Sequence, residues 1–231
     1  MSHYQQTPGD QTMTYLKLIA VLVGMVSLAG GAAAQTVNGK AFGSYVNAAG
    51  ITTQSPVASL PSSGGMDVGS TDAFGVPSAI DAQFLKAITT GALDDPASTA
   101  QSTSELQNVS VLSGLITADA VTAVASSYHN ASGAASDAEG SGFANLIVNG
   151  LVVTTDVAPN TRVTLPGVGY AILNEQLPTG DGVSSSGMTV NMIHIYLQSL
   201  TQGTCTPLGC LPSVLTNTGE IIVGSASSGV Q

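Results

Sequence analysis

The chain reads as a mainly β protein: an antiparallel β-sandwich of jelly-roll or immunoglobulin-like topology, strand order left open, with at most one short helix. Three observations predict this. Val, Ile, Leu and Thr concentrate between Asn108 and Glu175. The punctuation in that stretch is Asn-Gly, Pro-Asn and Pro-Gly, the chemistry of tight turns between strands. The apolar runs also lack the Lys and Glu with which a helix solvates its outer face.

Residues 1–34 read as a signal peptide. Lys17 precedes an uncharged run, 18–34, that closes on Ala32-Ala33-Ala34 before Gln35, so cleavage is expected between Ala34 and Gln35, and Met13 is a candidate start. Diluted by Gly24, Gly30 and Gly31, the run falls short of the ~20 residues a spanning helix needs, and no membrane span is expected after cleavage. The exported chain, 35–231, is then a single β-sandwich domain.

Along that chain, 36–50 alternates loosely and predicts a first strand or hairpin. Residues 51–79, with Pro56, Pro61, Gly64-Gly65, Gly75 and Pro77, predict loop with at most short strands. In 78–91 Ile80, Phe84, Leu85 and Ile88 share a helical face, and a short helix or irregular segment is expected over 80–90, with an edge strand as the alternative. Residues 98–112 and 114–129 predict strands, the second because β-branched residues recur in it, and 131–142 predicts a flexible connection.

Asn149-Gly150 supplies the positive φ angles of a type I′ hairpin turn. Val148 then faces Leu151, Leu146 faces Val153, and Phe143 falls opposite Asp156 on the other face. With turns at Pro159-Asn160 and Pro166-Gly167, the runs 143–148, 151–157, 161–165 and 168–174 predict a four-strand meander. Residues 188–200 predict a strand covered on both faces, and 219–230 a last strand.

Charge narrows the function. Beyond residue 34 the only cations are Lys40, Lys86 and Arg162, against every acid except Asp10, and the chain carries a net charge of −10. Nucleic acid and anionic membrane are excluded as partners, since both need Lys and Arg to neutralise phosphate. A surface of Ser, Thr, Asn, Gly and Ala fits an extracellular protein and favours self-association, because little charge keeps copies apart. Cys205 and Cys210, spaced across CTPLGC in an exported chain, predict one short disulfide.

Catalytic motifs are missing beyond residue 34. There is no Gly-x-Ser-x-Gly, His-Glu-x-x-His, P-loop or dinucleotide fingerprint, and Gly167-Val168-Gly169 reads as a turn. His194 alternates with Met192 and Tyr196 inside a strand, which predicts a satisfied core or interface imidazole, while His129 borders a loop and is expected in solvent. Neither a catalytic residue nor a cofactor site is expected. Asp94, Asp95, Asp137, Glu139 and Asp181 sit in Gly/Ser/Pro-rich loops and are weak calcium candidates, without the Asp-x-Asp-x-Asp-Gly spacing.

GLITADAV (114–121), FANLIVNG (143–150), APNTRVTLPGVGYAILNEQ (158–176), VNMIHIYL (190–197) and EIIVGSASSGV (220–230), in that order, resemble the choice-of-anchor P family of bacterial exported proteins. The resemblance runs from Ala41-Phe42-Gly43 onward. It implies a β-rich domain displayed at the cell surface, with no established enzymatic activity or ligand. The family's C-terminal anchors have no counterpart up to Gln231, and Leu177-Pro178-Thr179-Gly180 lies mid-chain and lacks the residue that completes a sortase signal. Release or assembly with other copies is therefore expected over wall attachment.

The expectation is a secreted or cell-surface, non-enzymatic structural or adhesion protein that self-assembles or binds a surface or matrix partner. The alternatives are a secreted hydrolase or carbohydrate-binding module, and a calcium-stabilised adhesin.

Overall fold

The computed structural model describes residues 35–153, 156–203 and 212–231, and the backbone alone of 205–206 and 209–210. The expected signal peptide and its cleavage point after Ala34 lie outside the described residues. The described residues form strands, turns and loops and no helix.

In chain order the strands are β1 (Val37–Ala48), β2 (Ile51–Leu60), β3 (Gly65–Val76), β4 (Ile80–Asp94), β5 (Ala97–Val111), β6 (Ile116–Asn130), β7 (Gly133–Asp137), β8 (Gly142–Ala144), β9 (Ile147–Val148), β10 (Leu151–Val152), β11 (Thr161–Leu165), β12 (Gly169–Gly180), β13 (Ser186–Thr201), β14 (Cys205–Thr206), β15 (Gly209–Cys210) and β16 (Val214–Val230). They make two packed antiparallel sheets, a β-sandwich. The first runs β11-β12-β13-β16-β1-β2; the second runs β10-β9-β6-β5-β4-β3, with β7 and β8 also pairing β6; β14 and β15 pair only with each other. The chain lays down β1–β2, winds through β3–β6 in the second sheet, returns for β11–β13, and closes with β16 between β13 and β1.

The long strands reverse their inside–outside alternation where a transverse seam crosses each sheet. In β13, Val190 and Met192 lie in the core, and so do Ile193 and Ile195. The partners beside Met192 are Asn174 (φ 50) on β12 and Gly224 (φ 66) on β16, both in the left-handed region. Further along the same row are Gly43 on β1 and Pro56 on β2, and the regular pairing skips each of these positions. The second sheet has the same transverse seam, through Phe84 (φ 49), Asn108 (φ 49) and Asn145 (φ 50). One left-handed residue in a strand turns the following side chains to the opposite face and bends the sheet. Gly224 is suited to this place twice over: it tolerates the φ, and a Cβ there would lie 2.9 Å from Val121 Cγ1.

The core is graded. Leu85, Leu106, Ile116, Leu146, Leu173, Ile193, Ile195 and Ile221 fill one end. Toward the other end small residues predominate, Ala41, Ala58, Ala87, Ala100, Gly39, Ser102 and Ser127, around a minor cluster of Val37, Leu60 and Val230. Ser127 and Ser228 share a buried hydrogen bond of 2.7 Å between the sheets there. The adjacent edges of β2 and β3 close on each other. Asp67 Oδ2 accepts from Ser59 N–H at 2.7 Å, and Gly69 lets the backbone at Val57 approach, which blunts an otherwise open edge.

Several expectations are corrected. Residues 51–79 hold two long strands: Pro56 sits in edge strand β2, where its missing N–H costs no ladder bond. Residues 80–90 belong to strand β4, not to a helix. The left-handed residue Phe84 shifts the alternation, so that Ile80, Ala82, Leu85 and Ala87 point inward; of the four residues expected on one helical face, Ile80 and Leu85 are buried while Phe84 is exposed. The connection 131–142 contains β7.

The four-strand meander is divided between the sheets. Val148↔Leu151 and Ile147↔Val152 pair as expected around Asn149-Gly150, but β11 and β12 belong to the other sheet. Phe143 pairs with Val121, not Asp156, because Asn145 breaks 143–148 into two short strands laid along β6. The strands expected at 36–50, 98–112, 114–129, 188–200 and 219–230 are present.

Candidate functional site

The densest polar cluster lies on the first sheet, on the face of β13 opposite Ile193 and Ile195. There His194 stands between two carboxylates. Its Nδ1 is 2.8 Å from Glu175 Oε2 on β12, and its Nε2 is 3.2 Å from Glu220 Oε2 on β16. Asn191 Nδ2 donates to the same Glu175 oxygen at 2.7 Å, and Ser225 Oγ donates to Asn191 Oδ1 at 2.7 Å. Tyr196 stacks on the imidazole at 4.2 Å, Tyr170 stacks on Tyr196 at 4.8 Å, and the Arg162 guanidinium caps Tyr170 at 3.9 Å. Glu175, Asn191, His194 and Ser225 are buried despite facing away from the core.

The seam builds this cluster. Asn174 turns the chain so that Glu175 follows inward-facing Leu173 but points to the outer side, where it meets Asn191 and His194. Asn174 holds the turn with its own amide, whose Nδ2 donates to Val157 O at 2.8 Å.

Electrostatically the cluster is an ion pair with satellites. Burial pulls the His194 pKa down, but hydrogen bonds and charge from Glu175 and then Glu220 outweigh it, so the imidazolium is favoured beyond its ordinary range. Burial pushes Glu175 up, and the His194 and Asn191 hydrogen bonds outweigh that, so its carboxyl titrates below its usual range. Burial and the neighbouring Glu175 charge push the Tyr196 phenol up to about 12. The Tyr196 hydroxyl also lies 3.2 Å from His194 Nδ1, so both ring nitrogens are engaged within the cluster. The arrangement fastens three strands together and holds a charge.

No family model, curated protein or solved structure matches the chain.

The acids considered for calcium are dispersed. Asp94 ends β4, Asp95 begins the following turn, Asp137 ends β7, and Glu139 follows it, its N–H donating to Asp137 Oδ1 at 3.0 Å. Asp181 organises the β12–β13 turn. Its Oδ1 accepts from the N–H groups of Val183, Ser184 and Ser185, and its Oδ2 accepts from the Ser184 hydroxyl. Those bonds hold its carboxyl far below the usual range. Among the described residues no three His, Cys, Asp or Glu side chains converge as a metal site.

The backbone of Cys205 lies opposite that of Cys210 in the β14–β15 ladder; their side chains are outside the described residues. His129 differs from expectation: its Nδ1 is buried and meets no hydrogen-bond partner among the described residues.

Glu175, Glu220, Asn191 and Arg162 were not legible as a set. The available signal was a lone acid and an asparagine, Asn174-Glu175, inside an apolar strand.

Proposed function

We propose that this chain is an exported, non-enzymatic structural or adhesion protein that acts by associating with copies of itself or with a surface partner. The observation that carries the reading is the outer end of the β13–β16 hairpin. Past Leu197, β13 outruns its neighbour β12, and below Gly219, β16 outruns β1; Gln198 N–H still donates to Val168 O at 2.7 Å, and beyond it Ser199–Thr201 and Val214–Thr216 pair with each other alone. That ribbon exposes Leu200, Val214 and Leu215 at 58%, 54% and 64%. The whole span 198–219 carries no Asp, Glu, Lys or Arg in a chain of net charge −10. Open edges, apolar side chains and local neutrality together favour strand addition there, where repulsion between copies is least.

The His194 cluster supports the same reading, since its groups are spent on one another. A Cys205–Cys210 disulfide clips the ribbon's tip, and the leader 1–34 delivers the chain outside the cell, in keeping with the resemblance to choice-of-anchor P proteins. Electron microscopy and sizing of the secreted protein test the proposal. Ordered assemblies or discrete oligomers are expected, and a strictly monomeric, non-adherent species counts against it.

A further inference from the structure

The second sheet carries a cleft of about 490 Å³ on its outer face, within the ~300–1,000 Å³ typical of small-molecule sites. Two rows of side chains cross its strands. In one, Thr90, Gln101 and Ser126 are register partners on β4, β5 and β6; in the other, Ala92, Thr99 and Tyr128 are. The residues between the rows, Gly91, Ala100 and Ser127, leave the floor low, because Ala100 and Ser127 point into the core. Nothing on β4 or β5 in the row of Tyr128 is larger than threonine, so its ring stands 46% exposed beside the open floor. Gln101 Nε2 donates to Ser126 Oγ at 3.1 Å, which orients the amide along the cleft.

We propose that this cleft binds a neutral saccharide. A pyranose has an apolar face that stacks on an aromatic ring and an equator of hydroxyls that exchange hydrogen bonds with amides and hydroxyls. Tyr128 supplies the first, and Gln101, Ser126, Thr90 and Thr99 supply the second. Two other clefts, of about 360 and 320 Å³, contain no aromatic ring among their lining residues. No charged residue lines the Tyr128 cleft, and a net charge of −10 opposes an acidic glycan, which selects the neutral class. The inference rests on the adhesive reading above and gives it a ligand.

The test is calorimetric titration of the full chain with cellohexaose, xylohexaose, laminarihexaose and chitohexaose to millimolar concentration. At least one should bind saturably. Tyr128→Ala should weaken that binding by about tenfold, Tyr128→Phe should keep it within about twofold because the ring carries the stacking, and Gln101→Ala should weaken it several-fold. Because Tyr128 is exposed, its variants should melt with the parent, so lost affinity reports the cleft. Failure of all four sugars to bind overturns the proposal, as does a Tyr128→Ala variant that binds like the parent. If the cleft fails while the 198–217 ribbon still drives association, the adhesive reading stands without it. Sugar binding by a protein that neither associates nor adheres would reverse that outcome.

Discussion

Truncating Glu175 to alanine tests the buried cluster most sharply. Its Oε2 is the acceptor for both His194 Nδ1 and Asn191 Nδ2, and its side chain is 7% exposed. Removing it leaves two buried donors without that acceptor. A buried donor stripped of its partner costs about 1–3 kcal/mol. His194 retains Glu220 and Asn191 retains Ser225, which puts each loss near the middle of the range and the sum at about 3 kcal/mol. At ~2–4 °C per kcal/mol for a domain of this size, the melting temperature should fall by about 6–12 °C. Glu220→Ala removes the other carboxylate, but that side chain is 35% exposed, so its loss should cost under about 1 kcal/mol. Urea unfolding of Glu175→Ala, His194→Ala and the double variant should give a coupling of at least about 1 kcal/mol. Equal losses for Glu175→Ala and Glu220→Ala, or additive single variants, would refute the cluster's part in fastening β12, β13 and β16.

The same pair sets a pH window. Glu175 has a lowered folded pKa, so its contribution is present above its ordinary 4.5 and lost as pH falls through the lower folded value. His194 has a raised folded pKa, so its contribution is full below its ordinary 6.5 and lost as pH rises through the folded value. Both act between those two values, where thermal melting should peak, and His194→Gln should flatten the alkaline limb. In the small-residue end of the core, the Ser102 and Thr89 hydroxyls are buried and meet no partner among the described residues. Ser102→Ala or Thr89→Val should therefore raise stability in urea by about 1 kcal/mol. Gly224→Ala forces a Cβ into the left-handed seam against Val121 and should cost about 1–3 kcal/mol in the same assay. The proposed Cys205–Cys210 disulfide predicts a loss of about 2 kcal/mol on reduction, read as a melting shift with and without reductant; an unchanged melting temperature would refute the bond.

The fold class was legible because turn chemistry and β-branched runs are local signals, and the Asn149-Gly150 hairpin was read to its register. The seams were not. A residue such as Phe84 or Met192 looks like one more member of an alternating or helical pattern, and only the pairing across strands reveals that the alternation reverses there. In β4 the apolar pair Phe84-Leu85 straddles the reversal, which broke the simple alternation a strand would have shown. Such a reversal also hid Glu175, whose outward direction depends on Asn174 adopting a positive φ. Asparagines inside apolar runs, Asn108, Asn145 and Asn174, were the overlooked signal, since asparagine tolerates the left-handed region better than other side chains. The division of the meander between two sheets was illegible for a different reason: partner choice is tertiary.

Sedimentation equilibrium of the protein and its Leu215→Lys variant bears most directly on whether this is a molecule that associates through its neutral ribbon. The parent should show concentration-dependent association, and the variant, with a charge set among Leu200 and Val214, should sediment as a monomer with an unchanged melting temperature. A parent that stays monomeric across the whole concentration range, or a variant that associates as strongly as the parent, would contradict the account.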